Sequence, residues 1–236
     1  MKKKIGILGG MGPEATANLF NKIINLTEAN NDQEHIPIII DNNVLIPDRT
    51  AYLLEKSTNP LKYLIKSAIK LELMGADLVL MPCNTAHYFY EDIIKYLDIP
   101  MLNMVDIATT HVYNNYKNVK RIGLLATMGT YTSRVYEDSL KRFDIEVVPV
   151  LEEDQKKLLD IIYSIKKGNK DNHKEAVYSI LRYLSKNEVS VIILGCTELP
   201  ILFDILKNDK DIIRLKQVYI DTTYLLAKKA VELASL

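Results

Sequence analysis

The amino-acid sequence predicts an α/β fold of two similar halves, each a mostly parallel sheet flanked by helices. Three observations lead there. Short β-branched runs alternate with amphipathic stretches along the whole chain. Several of the runs are apolar on successive residues, as strands are when helices cover both faces of their sheet. Segments of the first half also recur, in the same order, in the second.

Taken in order, the apolar runs predict strands at residues 5–8, 36–40, 78–81, 121–125, 146–148 and 189–194. Amphipathic spacing predicts helices at 14–30, 60–74, 91–97, 105–116, 133–143, 155–167, 174–186 and 222–234. Gly75 and Gly168 stand where helix ends favour glycine. The clearest echo pairs Ile5-Gly6-Ile7-Leu8-Gly9-Gly10-Met11-Gly12 with Ile122-Gly123-Leu124-Leu125-Ala126-Thr127-Met128-Gly129. A second pairs Leu78-Val79-Leu80-Met81-Pro82-Cys83-Asn84-Thr85 with Val191-Ile192-Ile193-Leu194-Gly195-Cys196-Thr197-Glu198, and a weaker third pairs Val105-Asp106 with Ile220-Asp221. The expected domains are 1–99 joined by 208–236, and 100–207, with the last helix returning to the first domain.

Composition narrows the function classes. The 236 residues carry 30 acidic and 30 basic side chains, so no electrostatic footprint for nucleic acid or an anionic membrane is visible. Met1-Lys2-Lys3-Lys4 resembles the start of an export signal, but the apolar run behind it ends at Leu8; a cytoplasmic protein is expected. Two cysteines and four scattered histidines build neither a disulfide framework nor a metal site. The glycine loop lacks the G-x-G-x-x-G spacing of dinucleotide folds, and no P-loop or internal-lysine pyridoxal site is recognisable.

A buried cysteine is by default a small hydrophobe. Here an apolar strand in each half ends in a cysteine, followed by a residue able to cap a helix, Asn84 or Thr197. Ligands of open parallel sheets bind beyond the carboxyl ends of the strands. A helix N-terminus there cradles a carboxylate and lowers a thiol's pKa. Two halves facing each other across a cleft would set one thiol on each side of a ligand. Inverting an α-carbon needs a base on one face and an acid on the other, and a thiolate and a thiol can exchange those roles.

Through its glycine loop and its two cysteine turns, the sequence resembles the aspartate/glutamate racemase family. The resemblance rests on Gly9-Gly10-Met11-Gly12-Pro13, Pro82-Cys83-Asn84-Thr85-Ala86-His87 and Gly195-Cys196-Thr197-Glu198-Leu199, and it covers essentially the whole chain. It implies an isomerase with two pseudosymmetric α/β domains and its active site in the cleft between them. It also implies a homodimer that works without pyridoxal phosphate or any other cofactor on a small acidic amino acid. Cys83 and Cys196 would move the proton. The resemblance further implies that Asn84, Thr85, Thr197 and Glu198 hold the substrate's α-carboxylate and amino group, with Met11 and Thr127 in the two glycine turns. Arg49 would grip a side-chain carboxylate, and Lys166, or Lys167 beside it, is the matching lysine.

By default Arg49 on its proline-containing loop is a solvated charge, Lys166 complements a helix end, and His87 packs or caps near the first cysteine. The leading expectation is racemisation of aspartate. Glutamate or a broader substrate set, a maleate-isomerase-like reaction, and a non-catalytic dicarboxylate-binding protein are the alternatives.

Overall fold

In the computed structural model, residues 2–55, 57–169 and 173–236 are described. The chain runs β1 (Ile5–Gly9), α1 (Pro13–Leu26), β2 (Ile38–Asn42), α2 (Arg49–Leu53), α3 (Leu61–Leu73), β3 (Leu78–Leu80), α4 (Tyr90–Ile93) and α5 (Met104–Asn115). It continues through β4 (Arg121–Ala126), α6 (Met128–Ser133), α7 (Val135–Lys141), β5 (Glu146–Val148), α8 (Glu152–Lys166) and α9 (Lys174–Lys186). The last elements are β6 (Val191–Gly195), α10 (Leu199–Leu206), α11 (Lys210–Arg214), β7 (Val218–Asp221) and α12 (Thr222–Ala234). The chain folds into two units, one of Met1–Ile107 with Thr223–Leu236 and another of Ala108–Thr222. The divisions fall inside α5 and at the head of α12, rather than at 99/100 and 207/208. Residues 218–221 stay with the second unit because β7 pairs with β6.

The first unit holds a parallel sheet of order β2-β1-β3. β1 and β3 bury both faces while β2 is partly exposed, and period-2 alternation divides the core in two. Ile5, Ile7, Leu78 and Leu80 share a cluster with Leu19 and Ile23 of α1 and with Leu226, Ala227, Ala230 and Ala234 of α12. Leu8, Val79 and Met81 share the other with Leu64, Ala68 and Leu71 of α3. Those helical positions recur at three- and four-residue spacing, so each helix lays one apolar stripe on the sheet.

The second unit holds a parallel sheet of order β5-β4-β6-β7. Leu125, Ile192 and Leu194 pack with stripes from α8 (Leu158, Ile161, Ile162, Ile165) and α9 (Val177, Ile180, Leu181, Leu184). The order β5-β4-β6 repeats β2-β1-β3, as the sequence echo requires, and β7 is an added edge strand. The expected helix at 133–143 is instead two short ones, because Arg134 adopts a left-handed φ of 56° between α6 and α7. Residues 91–97 form the end of α4 and a 3-10 turn. Among the described residues, no helix is long and apolar enough to cross a membrane.

Candidate active site

In the first unit the glycine loop and Cys83 leave neighbouring strands at one end of the sheet, since Ile7 pairs with Leu80 in parallel register. Close contacts fix the loop. A Cβ on Gly9 would lie 2.4 Å from Thr16 Cγ2, and Gly10 has φ +90° with its Cβ direction 2.4 Å from the backbone of Asn43. Only glycine fits there without strain. The Thr16 hydroxyl accepts from the Gly10 N–H at 2.9 Å and donates to the Gly12 carbonyl at 3.0 Å. Met11 and Cys83 are both buried, in one cluster with Ile46, Ala86 and Phe89.

Arg49 opens α2, whose N-cap Asp48 accepts from the Ala51 N–H at 2.7 Å. The solvated-charge default for Arg49 fails: the side chain is 6% exposed. Its Nη1 donates to the carbonyls of Ile46 (3.2 Å) and Pro47 (3.0 Å), and its Nη2 to that of Met11 (3.3 Å). Its Nε is buried with no hydrogen-bond partner, and no carboxylate among the described residues pairs with it. A buried cation held only by carbonyl dipoles is poised for an anion.

His87 braces the other side of Cys83. Its Nδ1 lies 2.9 Å from the Cys83 carbonyl, and its Nε2 accepts from the Met104 N–H at 3.0 Å. A carbonyl only accepts and an amide N–H only donates, so the ring is the neutral Nδ1–H tautomer. Burial pushes its pKa down to about 4, against partial compensation from the backbone of Cys83 and Leu102 and from Asp106. His87 therefore joins the cysteine turn to the first residue of α5.

In the second unit Ala126 pairs with Gly195, which sets Thr127 and Cys196 just beyond adjacent strand ends. Thr127 caps α6, its hydroxyl accepting from the Thr130 N–H at 3.3 Å. The Cys196 thiol donates to Glu198 Oε2 at 3.0 Å, and the Thr197 hydroxyl donates to the same oxygen at 3.2 Å. All three residues are buried. Burial pushes the Cys196 thiol well above its ordinary pKa, the Glu198 carboxylate adds to that, and the Lys166 ammonium opposes it. The expected lowering of the thiol by a helix terminus is thus outweighed at Cys196 by desolvation and a like charge.

Met11 and Arg49 meet by a hydrogen bond, and Cys196, Thr197 and Glu198 by two. Lys166, half-buried in the last turn of α8, couples electrostatically to Cys196, whereas Lys167 is exposed. Asn84 and Thr85 are buried directly after Cys83. Neither Asn84 nor Thr197 caps a helix with its side chain. Asn84 precedes a 3-10 turn with no such bond, and the N-cap position of α10 falls on Glu198. Two residues escaped sequence reasoning: Thr16, which locks the glycine loop, and Tyr136, a fully buried residue of α7 coupled to Cys196. The spacing of Thr16 from the glycines offered a signal; Tyr136 offered none. Both cysteines are free, and among the described residues no group of three or more His, Cys, Asp or Glu side chains is placed to hold a metal ion.

Residues 8–230 match the Asp/Glu/hydantoin racemase family. The chain is 31% identical, over 96% of its own length and 96% of the other, to the broad specificity amino-acid racemase RacX of Bacillus subtilis (strain 168). Its fold is similar to that of the aspartate racemase of Picrophilus torridus, with TM-score 0.84, 28% identity, and coverage of 99% of this chain and 94% of that one. It is also similar to an aspartate racemase homologue from Pyrococcus horikoshii OT3, with TM-score 0.77, 28% identity, and coverage of 99% and 100%. By sequence and by fold, this chain is an amino-acid racemase and belongs to the Asp/Glu/hydantoin racemase family.

Proposed function

We propose that the protein interconverts L- and D-aspartate by moving a proton at the α-carbon between Cys83 and Cys196, without pyridoxal phosphate or a metal. The observation that carries this is the equivalence of the two cysteines. Each follows the strand that holds the same place in its sheet, β3 in the order β2-β1-β3 and β6 in the order β5-β4-β6. In the reaction one sulfur, as thiolate, takes the α-proton and becomes a thiol. The other, as thiol, gives its proton to the opposite face of the carbanion and becomes a thiolate. The reverse reaction swaps the roles.

The acidic substrate is supported by Arg49, a buried guanidinium with an unpartnered Nε and no carboxylate of its own. It would take the side-chain carboxylate. Met11, Asn84, Thr85, Thr127, Lys166, Thr197 and Glu198 would line the site and orient the α-carboxylate and amino group. A broader amino-acid range is the second reading, favoured by the 31%-identical relative named for broad specificity. We place the reaction in the cytoplasm, where thiols stay reduced, and in a homodimer, to be checked by analytical ultracentrifugation.

Incubation with L-aspartate in deuterium oxide, followed by proton NMR and chiral chromatography, is the test. The α-proton signal should fade as D-aspartate accumulates with no added cofactor. Cys83→Ala and Cys196→Ala should each lose racemisation; full activity in either variant would overturn the two-base chemistry. A panel of L-amino acids run with Arg49→Ala decides the range: acidic substrates should lose most if Arg49 selects them.

A further inference from the structure

The two cysteine turns are not equivalent in their chemistry. Aligned on the cysteines, Cys83-Asn84-Thr85 corresponds to Cys196-Thr197-Glu198. A carboxyl group in the second turn therefore replaces a hydroxyl in the first. That carboxyl is 2% exposed, and its Oε2 takes two donors, the Cys196 thiol at 3.0 Å and the Thr197 hydroxyl at 3.2 Å. A thiolate at that distance would press a second negative charge against a carboxylate away from water, where like charges are poorly screened. The pair accommodates one negative charge comfortably and two only at high cost.

We propose that Glu198 is a positioning residue that keeps Cys196 in its protonated, proton-donating form in the resting enzyme, leaving Cys83 as the base that starts turnover. This rests on the two-base reading above and assigns the resting roles that reading leaves open. In the forward half-reaction the α-proton passes to Cys83 while the Cys196 proton passes to the α-carbon. Cys83 is then a thiol and Cys196 a thiolate beside Glu198; the resting state returns when Cys196 takes a proton from solvent and Cys83 gives one up to it, or when the reverse reaction carries both protons back. Thr197 steadies the acceptor oxygen through its hydroxyl. Among the described residues of its own unit, the charged and titratable groups that act on Cys196 are Glu198, Lys166 from α8 and Tyr136 from α7. Of these three, Lys166 favours the thiolate; Tyr136 is kept neutral by burial, well above its ordinary range. The thiol's raised pKa agrees with the geometry.

The test reads Cys196 directly. In a Cys83→Ser background Cys196 is the remaining cysteine, and its thiolate is followed by absorbance near 240 nm during a pH titration. Glu198→Gln should move that titration down by about one to three pH units, the range for loss of a like charge in contact. Glu198→Asp, which keeps the charge, should stay near the parent, and Lys166→Gln should move the titration up. With both cysteines present, Glu198→Gln should also shift the alkaline limb of the kcat/KM profile to lower pH by a similar amount. The limb should move equally for the two enantiomers, because a racemisation has an equilibrium constant of one. A residue that only supports the fold would lower activity at every pH without moving that limb. An unchanged Cys196 titration in Glu198→Gln overturns the proposal, as does one that moves upward. If the wild-type protein racemises no amino acid of the panel while the titration still falls, the two-base reading is lost and the thiol–carboxylate clamp stands.

Discussion

Acidification should destabilise this protein measurably through His87, before most carboxylates protonate. In the folded chain its ring is neutral, donating to the Cys83 carbonyl and accepting from the Met104 amide, with a pKa pushed down to about 4 against an ordinary 6.5. The unfolded chain binds a proton at His87 from about pH 6.5 downward, whereas the folded chain does so only near 4. Stability from this group is therefore complete above 6.5, falls as pH drops through that window, and levels off below 4. At about pH 5 the two protonation curves differ by roughly 1.5 pH units of free energy, or about 2 kcal/mol. Because the ring is buried, solvent does not screen this contribution. Urea unfolding at pH 7 and pH 5, for the wild type and for His87→Gln, isolates the effect. The wild type should lose about 2 kcal/mol more than the variant over that interval. Nitrogen chemical shifts should show the Nδ1–H tautomer persisting at pH 5. Equal losses in the two proteins, or a ring already protonated at pH 5, would refute the assignment.

Four further outcomes follow from packing. Gly10→Ala must force a Cβ against the Asn43 backbone at a positive φ, so it should cost about 1–3 kcal/mol in urea unfolding. Gly168→Ala, also at positive φ but with nothing within 4 Å, should cost less. Gly195→Ala would bring a Cβ to 2.7 Å from Leu124 Cδ1 and 3.1 Å from Ala126 Cβ. It should displace Cys196 and depress racemisation more than substrate affinity, seen as a fall in kcat with KM little changed. Leu226→Ala removes a fully buried side chain of α12 and should lower stability by about 2–5 kcal/mol.

The strands most plainly legible in the sequence, β1, β3 and β6, are buried along their whole length, while β2 and β5 were legible from their β-branched residues although partly exposed. Ile5, Ile7 and Leu8 leave an unbroken apolar run because every position meets a helix. β7 escaped notice because it is an edge strand whose first residue, Val218, is exposed, so its apolar signal is short. The break between α6 and α7 was hidden because Arg134, not glycine, takes the left-handed conformation. α10 and α11 carried signals that went unread, a proline in the first turn of one and the Asp209 cap of the other. The cysteines stood out through their recurrence in the repeat. The burial of Arg49 could not, because the Met11 carbonyl that receives it lies on a distant segment. His87 is similar: its second partner is the amide of Met104, brought close by the fold alone. Glu198 sits two residues from Cys196 in plain view, yet only the folded turn aims its carboxylate at the sulfur.

The return of α12 to the first sheet bears on how the molecule comes into being. Ile5 and Ile7 leave the ribosome before the second unit, but Leu226, Ala227, Ala230 and Ala234, which share their cluster, are made after it. Through most of synthesis the nascent first unit therefore lacks part of the cover for its greasy sheet, while every residue of Ala108–Thr222 is available to the second unit before α12 is finished. A ribosome stalled before α12 would hold a first unit with an uncapped apolar face, a ready target for chaperones or for clumping.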